Sequence, residues 1–291
     1  MRDRLAGFFE HYNFSTHVFY SGTLCEDEAF DDKDGMGHLH LIRKGPITVY
    51  ASSHSKLTIN EPSLLFYPRP QHHSFVIGSD ESADLLCANV DLDHQAGNPL
   101  TKALPDMLLI PFHSMPTLLP TLELLFNEAA KTQCGRQAAI DRLAGYLLIQ
   151  ILRYVLDSSG TAMGLMAGLA DKRLAHAISA MHEHPRQPWP LQKLAATAGM
   201  SRARFAVHFR ETVGMTPGEY LARWRLTLAQ NLLKQNKPLE MVADSVGYGG
   251  AAALSRAFKA YTGQSPREWK RKIEHEHHRP PPSPLLNNEF K

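Results

Sequence analysis

LAATAGMSRARFAVHFRETVGMTP (Leu194–Pro217) and VADSVGYGGAAALSRAFKAYTGQSP (Val242–Pro266) are two copies of one pattern. Leu194-Ala195, Ala198-Gly199, Phe205, Phe209, Arg210, Gly214 and Thr216-Pro217 return as Val242-Ala243, Val246-Gly247, Leu254, Phe258, Lys259, Gly263 and Ser265-Pro266. The offset is 48 residues up to the first glycine and 49 after it, so the second copy has one extra residue in its turn. Each copy reads as a short helix, a glycine-containing turn and a second helix with large apolar residues at i and i+4, the pattern of a helix-turn-helix. Gly199 and Gly247 let the chain reverse at positive φ. Phe205 with Phe209, and Leu254 with Phe258, anchor each second helix on the first. Arg202, Arg204 and His208 then point outward in the first copy. Ser201 is placed to N-cap that helix, and a helix N-terminus suits a phosphate oxygen.

Residues 217–235 (PGEYLARWRLTLAQNLLKQ) read as one connecting helix with Pro217 in its first turn. Roughly 19 residues at about 1.5 Å each span roughly 28 Å, close to the ~34 Å of one B-DNA turn. Charge follows the same division. Residues 171–272 hold 17 Lys+Arg against 7 Asp+Glu, whereas residues 1–170 hold 12 against 19. A basic block on an acidic partner is the footprint of a nucleic-acid binder; a solvated basic surface is the bland alternative. The bland alternative for the whole block is a helical bundle with core stripes. That suffices for the four apolar anchors, while the outward cations are read as phosphate contacts.

The stretches LAATAGMSRARFAVHFRETVGMTPGEYLARWRL and VADSVGYGGAAALSRAFKAYTGQSPREWKR resemble the DNA-binding domain of the AraC/XylS family of bacterial transcription regulators, over residues 172–272. The resemblance implies two helix-turn-helix units on a linker helix, double-stranded promoter DNA and RNA polymerase as partners, and an activator. By position the reading helices are about 201–212 and 250–261. Arg256 matches a commonly basic family position, whose counterpart in the first copy is Val207. Ala251, Ala252 and Ala253 hydrogen-bond poorly to base edges but suit thymine methyls. The expected DNA contacts are Ser201, Arg202, Arg204, His208, Ser255, Arg256 and Lys259.

Upstream, residues 17–95 consist of short runs rich in β-branched and aromatic residues: VFYSGTL, HLHLIRKG, ITVYASS, KLTI, SLLFYP, HSFVIG and DLLCANVDL. Turn formers separate them, which predicts a small sandwich or barrel. Two helices are expected at 117–131 and 136–158, the second with Leu143, Leu147, Ile151 and Tyr154 on one stripe. They serve either to pair two subunits or to pack on the barrel. Residues 159–170 read as a linker of small residues. The tail 274–291, with RPPPSP, is expected to be disordered. The fold class is α+β in two domains: a cupin-like β-barrel with helices (1–116 and 117–158), then an all-α domain (171–273).

HLHLIRKG, LLFYPRPQHHSF, LLCANVDL and NPLTKALPDMLLI resemble the cupin-type sensor of one branch of the same family, over residues 16–112. In metal cupins, ligands would fall at His38 and His73; the upstream His-x-His pair is replaced by Asp32 and Asp34, and Pro70 replaces a glycine. His38 and His40 share a strand face, since side chains repeat every two residues. With His73 and Cys25 they suit Zn or Fe. The alternative is packing and hydrogen bonding inside the barrel. Cys87 is a candidate redox site, and a small organic effector in the barrel is a third option.

Three irregularly spaced cysteines exclude a disulfide scaffold and fit a reducing cytoplasm. No run approaches the ~20 apolar residues of a membrane span, and the start lacks a secretory leader. Neither GxSxG nor HExxH occurs, and the G-x-G-x-x-A at Gly247–Ala252 follows a helix rather than a strand. The sequence therefore favours a promoter-specific regulator over a cupin metalloenzyme with a DNA-binding appendage, or a non-specific DNA-binding protein.

Overall fold

The computed structural model describes residues 3–277 apart from 32, 34, 52–55, 94–96 and 159–162. Contacts divide the chain into two compact units, Met1–His184 with Trp189–Leu221, and Pro185–Pro188 with Ala222–Lys291.

The first unit holds nine strands among the described residues: β1 (Ser15–Leu24), β2 (Glu28–Phe30), β3 (Gly37–Lys44), β4 (Ile47–Ala51), β5 (Lys56–Ile59), β6 (Ser63–Tyr67), β7 (His73–Val76), β8 (Ala83–Asp91) and β9 (Leu108–Pro111). They form a five-stranded sheet, β1-β8-β3-β6-β9, and a four-stranded sheet, β2-β7-β4-β5, with antiparallel pairing throughout. Phe30, Ile42, Val49, Leu65, Tyr67, Phe75 and Cys87 share one core drawn from both sheets. Strands β3 and β6 are buried on both faces, from Gly37 to Ile42 and from Ser63 to Tyr67. That is why β6 reads as a continuous apolar run, whereas β3 alternates histidine with leucine yet hides both faces. The short β2 and β9 carried too few residues for a period to show.

The same unit contains α1 (Ala6–His11), α2 (Pro99–Ala103), α3 (Leu119–Ala129), α4 (Arg136–Ser158), α5 (Leu165–Ala170), α6 (Leu174–Glu183), α7 (Leu191–Thr197) and α8 (Arg202–Val213). Helix α4 has the expected bounds, but its buried stripe is Ala144, Leu147, Leu148, Ile151, Leu152 and Val155, with Leu143 and Tyr154 at its edge. It lies along β1: Asp141 accepts from the backbone N–H of Val18 at 2.8 Å, and Gln137 donates to the Val18 carbonyl at 2.9 Å. The expected linker 159–170 needs correction. Residues 159–162 lie outside the described residues, but Leu165–Ala170 is helix α5 with Met166, Gly168 and Leu169 buried. Its small residues serve close packing, not flexibility. A Cβ on Gly168 would lie 2.8 Å from both Ile178 Cδ1 and Val213 Cγ2.

Helix α9 (Pro217–Lys234) is continuous, as its composition predicted, and the unit boundary falls within it. The second unit continues with α10 (Leu239–Ser245), α11 (Ala251–Thr262) and α12 (Pro266–His277). Regular structure thus continues to His277, past the expected start of the tail at 274; residues 278–291 lie outside the described residues.

The two repeats close in the same way. Gly199 (φ 62°) and Gly247 (φ 80°) make the turns in the left-handed region, as the pattern required. Helices α8 and α11 end at Gly214 and Gly263, whose backbone N–H groups donate to the carbonyls of Arg210 and Lys259. The following helices start with matching capping boxes. The Thr216 hydroxyl donates to the Glu219 carboxylate at 2.8 Å, and the Ser265 hydroxyl to Glu268 at 2.7 Å.

Candidate nucleic-acid interface and sensor barrel

Helix α8 is held by its apolar face. Phe205, Phe209 and Val213 are buried, and Phe209 meets Tyr220 edge-on at 5.7 Å. Burial of the i, i+4 pair fixes the rotation of the helix and turns Arg204, Val207 and Glu211 outward; Arg202 at its start and Arg210 are exposed as well. Helix α11 repeats the arrangement: Leu254 and Phe258 are buried, Phe258 packs edge-on against Trp269 at 5.6 Å, and Arg256 and Lys259 are exposed. Ser255 is half-buried, and Ala252 is exposed between half-buried Ala251 and Ala253.

Two expectations for α8 change. Ser201 stands at the N-cap with extended backbone, but its side chain makes no capping hydrogen bond. His208 is not a free outward group. Its Nε2 lies 2.7 Å from Asp171 Oδ2 and it is half-buried. Asp171 also accepts from the backbone N–H groups of Arg173 and Leu174, both at 2.9 Å. Burial pushes the Asp171 carboxyl up, but the Leu174 N–H, the His208 ring and the Arg173 N–H together hold it below the usual carboxylate range. Arg210, also exposed, was not among the expected contacts. Its signal was available, because Lys259, an expected contact, is its counterpart in the repeat.

In the barrel, alternation on β3 directs His38 and His40 to the same face. His38 pairs with Tyr67 and Asn89 on the neighbouring strands, and His40 with Leu65 and Cys87. His73 comes from the facing sheet and is sandwiched between Tyr67 (4.2 Å, stacked) and Phe30 (4.9 Å, stacked). All three rings are buried. His73 Nδ1 is 2.8 Å from the Gln71 carbonyl, which only accepts, so Nδ1 carries the proton and Nε2 accepts. His40 Nε2 donates to it at 2.8 Å, and His40 Nδ1 then accepts from the Cys87 thiol at 3.1 Å. The outcome is a one-directional chain from Cys87 through His40 and His73 to Gln71.

Burial drives the charge states. It takes His73 down to about 4 and, with His73 and His38 as neighbours, holds His40 well below its ordinary value. Burial, aided by the charge of Glu28, pushes the Cys87 thiol well above its ordinary value. Cys87 is thus a protonated thiol near neutrality, the less nucleophilic form. In this arrangement the histidines offer no nitrogen to a metal: His40 Nε2 carries the proton that the Nε2 of His73 accepts, and their Nδ1 atoms are engaged with Cys87 and Gln71. Cys25 is exposed in the connection after β1, unlike the three buried rings. Among the described residues no group of three or more His, Cys, Asp or Glu is arranged to hold a metal ion. Asp32 and Asp34 lie outside the described residues. The Tyr67 hydroxyl is buried without a hydrogen-bond partner among the described residues, and burial takes it up to about 12.

No described helix is long and apolar enough to cross a membrane. Residues 3–157 match a family model described as Cupin, a match that runs through α3 and α4, and residues 194–272 match one described as Helix-turn-helix domain. The chain is 30% identical over 271 residues to an uncharacterized HTH-type transcriptional regulator of Haemophilus influenzae, covering 84% of this chain and 90% of that one. It is 33% identical over 213 residues to the HTH-type transcriptional regulator AlkR of Acinetobacter baylyi, covering 70% and 69%. It is 41% identical over 133 residues to a putative AraC-like transcription regulator of Streptomyces antibioticus, covering 45% and 44%.

Proposed function

Because the chain belongs to the AraC-type helix-turn-helix transcriptional regulators with an N-terminal cupin domain, we propose that it binds promoter DNA sequence-specifically through α8 and α11 and activates transcription there with RNA polymerase. The observation that carries this is the sidedness of the two helices. Each is pinned by a buried i, i+4 apolar pair and leaves cations exposed: Arg202 at the start, Arg204 on the face opposite the pair, beside Val207 and Glu211, and Arg210 on one, Arg256 and Lys259 on the other. Cations position the protein on phosphates, and base-edge contacts select the sequence. The relatives are regulators by name, which sets aside the metalloenzyme alternative.

Selection of binding sites from random duplexes, in salt-matched competition, tests the reading. A site bound at least ~1,000-fold more tightly than unrelated DNA is expected of a specific regulator. Equal affinity for all sequences would make it a non-specific binder. Run-off transcription with RNA polymerase from a promoter holding that site then tests activation.

The barrel is the sensing element in this reading, and a small organic effector is its favoured signal. The buried, unpartnered Tyr67 hydroxyl supports it, because such a group is satisfied by a polar atom brought in from outside. Tyr67→Phe is expected to keep DNA binding and lose effector response in a promoter fusion; an unchanged response would remove Tyr67 from the sensor.

A further inference from the structure

A lone exposed valine on an arbitrary surface needs no explanation. Val207 is different in its place. It is 57% exposed on the outer face of α8, one helical turn after Ala203 and one before Glu211, both exposed. Half-buried Met200 and exposed Ala203 extend the apolar strip along a groove of about 610 Å³, which Arg173 and Arg204 line together with Asp171, His208 and Glu211. An exposed apolar side chain on a helix face suits the base edges at the floor of a duplex groove, and a neighbouring arginine suits the phosphates at its edge. The counterpart of Val207 in the second repeat is Arg256, also exposed. In the major groove the apolar group displayed by base edges is the thymine C5-methyl, whereas arginine pairs with guanine O6 and N7.

We propose that Val207 is a specificity-determining residue of the first helix-turn-helix, packing on a thymine methyl, so that the two repeats read chemically different steps: thymine at α8 and guanine at α11. This rests on the promoter-binding reading above and deepens it. A valine has no hydrogen-bond donor for a base, so its selectivity is entirely for the methyl. An arginine at the same place selects by paired donors.

The full-length protein is used to enrich duplexes from a random pool. If no sequence is enriched, the promoter-binding reading itself fails. Within an enriched site each thymine is then replaced by deoxyuridine, which removes the methyl and leaves the hydrogen-bonding edge intact. Replacement of one particular thymine is expected to weaken wild-type binding about fourfold, the factor that burying one methyl-sized group confers. Val207→Ala, at an exposed helical position where alanine folds well, is expected to bind both forms alike. Arg256→Ala is expected to keep the discrimination and to lose preference at a guanine. Indifference of the wild type to deoxyuridine at every thymine overturns the proposal. So does a discrimination that Val207→Ala spares.

Discussion

Acidification from about pH 7 to about pH 5 is expected to remove at least roughly 4 kcal/mol from the stability of the first unit, about 2 kcal/mol each from His73 and His182, with buried His40 acting in the same direction. His73 is buried between Tyr67 and Phe30, and burial takes it from 6.5 down to about 4. His182 on α6 is buried beside Phe8, bonded to the Tyr220 hydroxyl at 2.5 Å, and is taken from 6.5 down to about 3, by burial first and by His11 second. Both folded values lie below the unfolded one, so the unfolded chain takes up protons first as pH falls. Stability is therefore complete well above pH 6.5 and declines as pH falls toward the folded values. Applied to one group with an unfolded value of 6.5 and a folded value near 4, linkage gives a loss of about 2 kcal/mol by about pH 5. His182 gives nearly the same, and the pair together approaches the lower end of a domain's ordinary ~5–15 kcal/mol. Hydrogen exchange in urea, read by mass on peptides covering β3, β7 and α6 and corrected for intrinsic rates, measures it. His73→Phe retains a ring to stack between Tyr67 and Phe30 and removes one titrating group, so about 2 kcal/mol of the loss should vanish. A loss below about 1 kcal/mol in the wild type, or an undiminished loss in His73→Phe, refutes the buried-neutral account.

Phe209→Ala removes a fully buried ring that anchors α8 and is expected to cost about 3–5 kcal/mol in urea unfolding, with DNA binding lost as a consequence. Gly247→Ala places a Cβ 2.8 Å from the Arg186 carbonyl oxygen at a φ of 80°. A lower melting temperature is expected, against little change for an alanine at exposed Ser201. Arg210→Ala, at an exposed position, is expected to weaken binding equally on selected and random duplexes and to reduce the slope of log affinity against log salt by about 1. Arg256→Ala is expected to cost about 1–3 kcal/mol on the selected site and less on random DNA; equal losses would reassign it to phosphate.

The helical half was legible because its information is local and doubled. A turn glycine, an i, i+4 apolar pair and a terminal Gly-x-Thr/Ser-Pro each specify backbone within a few residues, and the second copy checks the first. Thr216 and Ser265 with Glu219 and Glu268 carried a capping-box signal that spacing alone reveals. The barrel was legible as strands but not as sheets. Which strand neighbours which depends on contacts distant in sequence, such as β3 lying between β8 and β6. Residues 163–170 misled for a physical reason: glycine and alanine are the residues of both flexible chain and closest packing, and only Ile178 and Val213, brought together by tertiary structure, distinguish the two.

The site shows the same limit more sharply. Arg204 and His208 are one turn apart and share a stripe, so helical periodicity assigns them the same fate. The structure separates them because Asp171, bound to the start of α6 by two backbone N–H groups, reaches His208 and not Arg204. A histidine engaged this way ties α8 to the start of α6, which leaves Arg204 and Val207 exposed beside it. Likewise the approach of His38 to His40 follows from the two-residue period of β3, but the arrival of His73 from the facing sheet does not. Its Nε2 meets His40 while its Nδ1 is committed to Gln71, so two of the residues suggested for a metal, His40 and His73, form a neutral hydrogen-bonded chain that runs from the Cys87 thiol to the Gln71 carbonyl. In both places residue type and period located the group correctly, and a partner more than thirty positions away in the chain decided what it does.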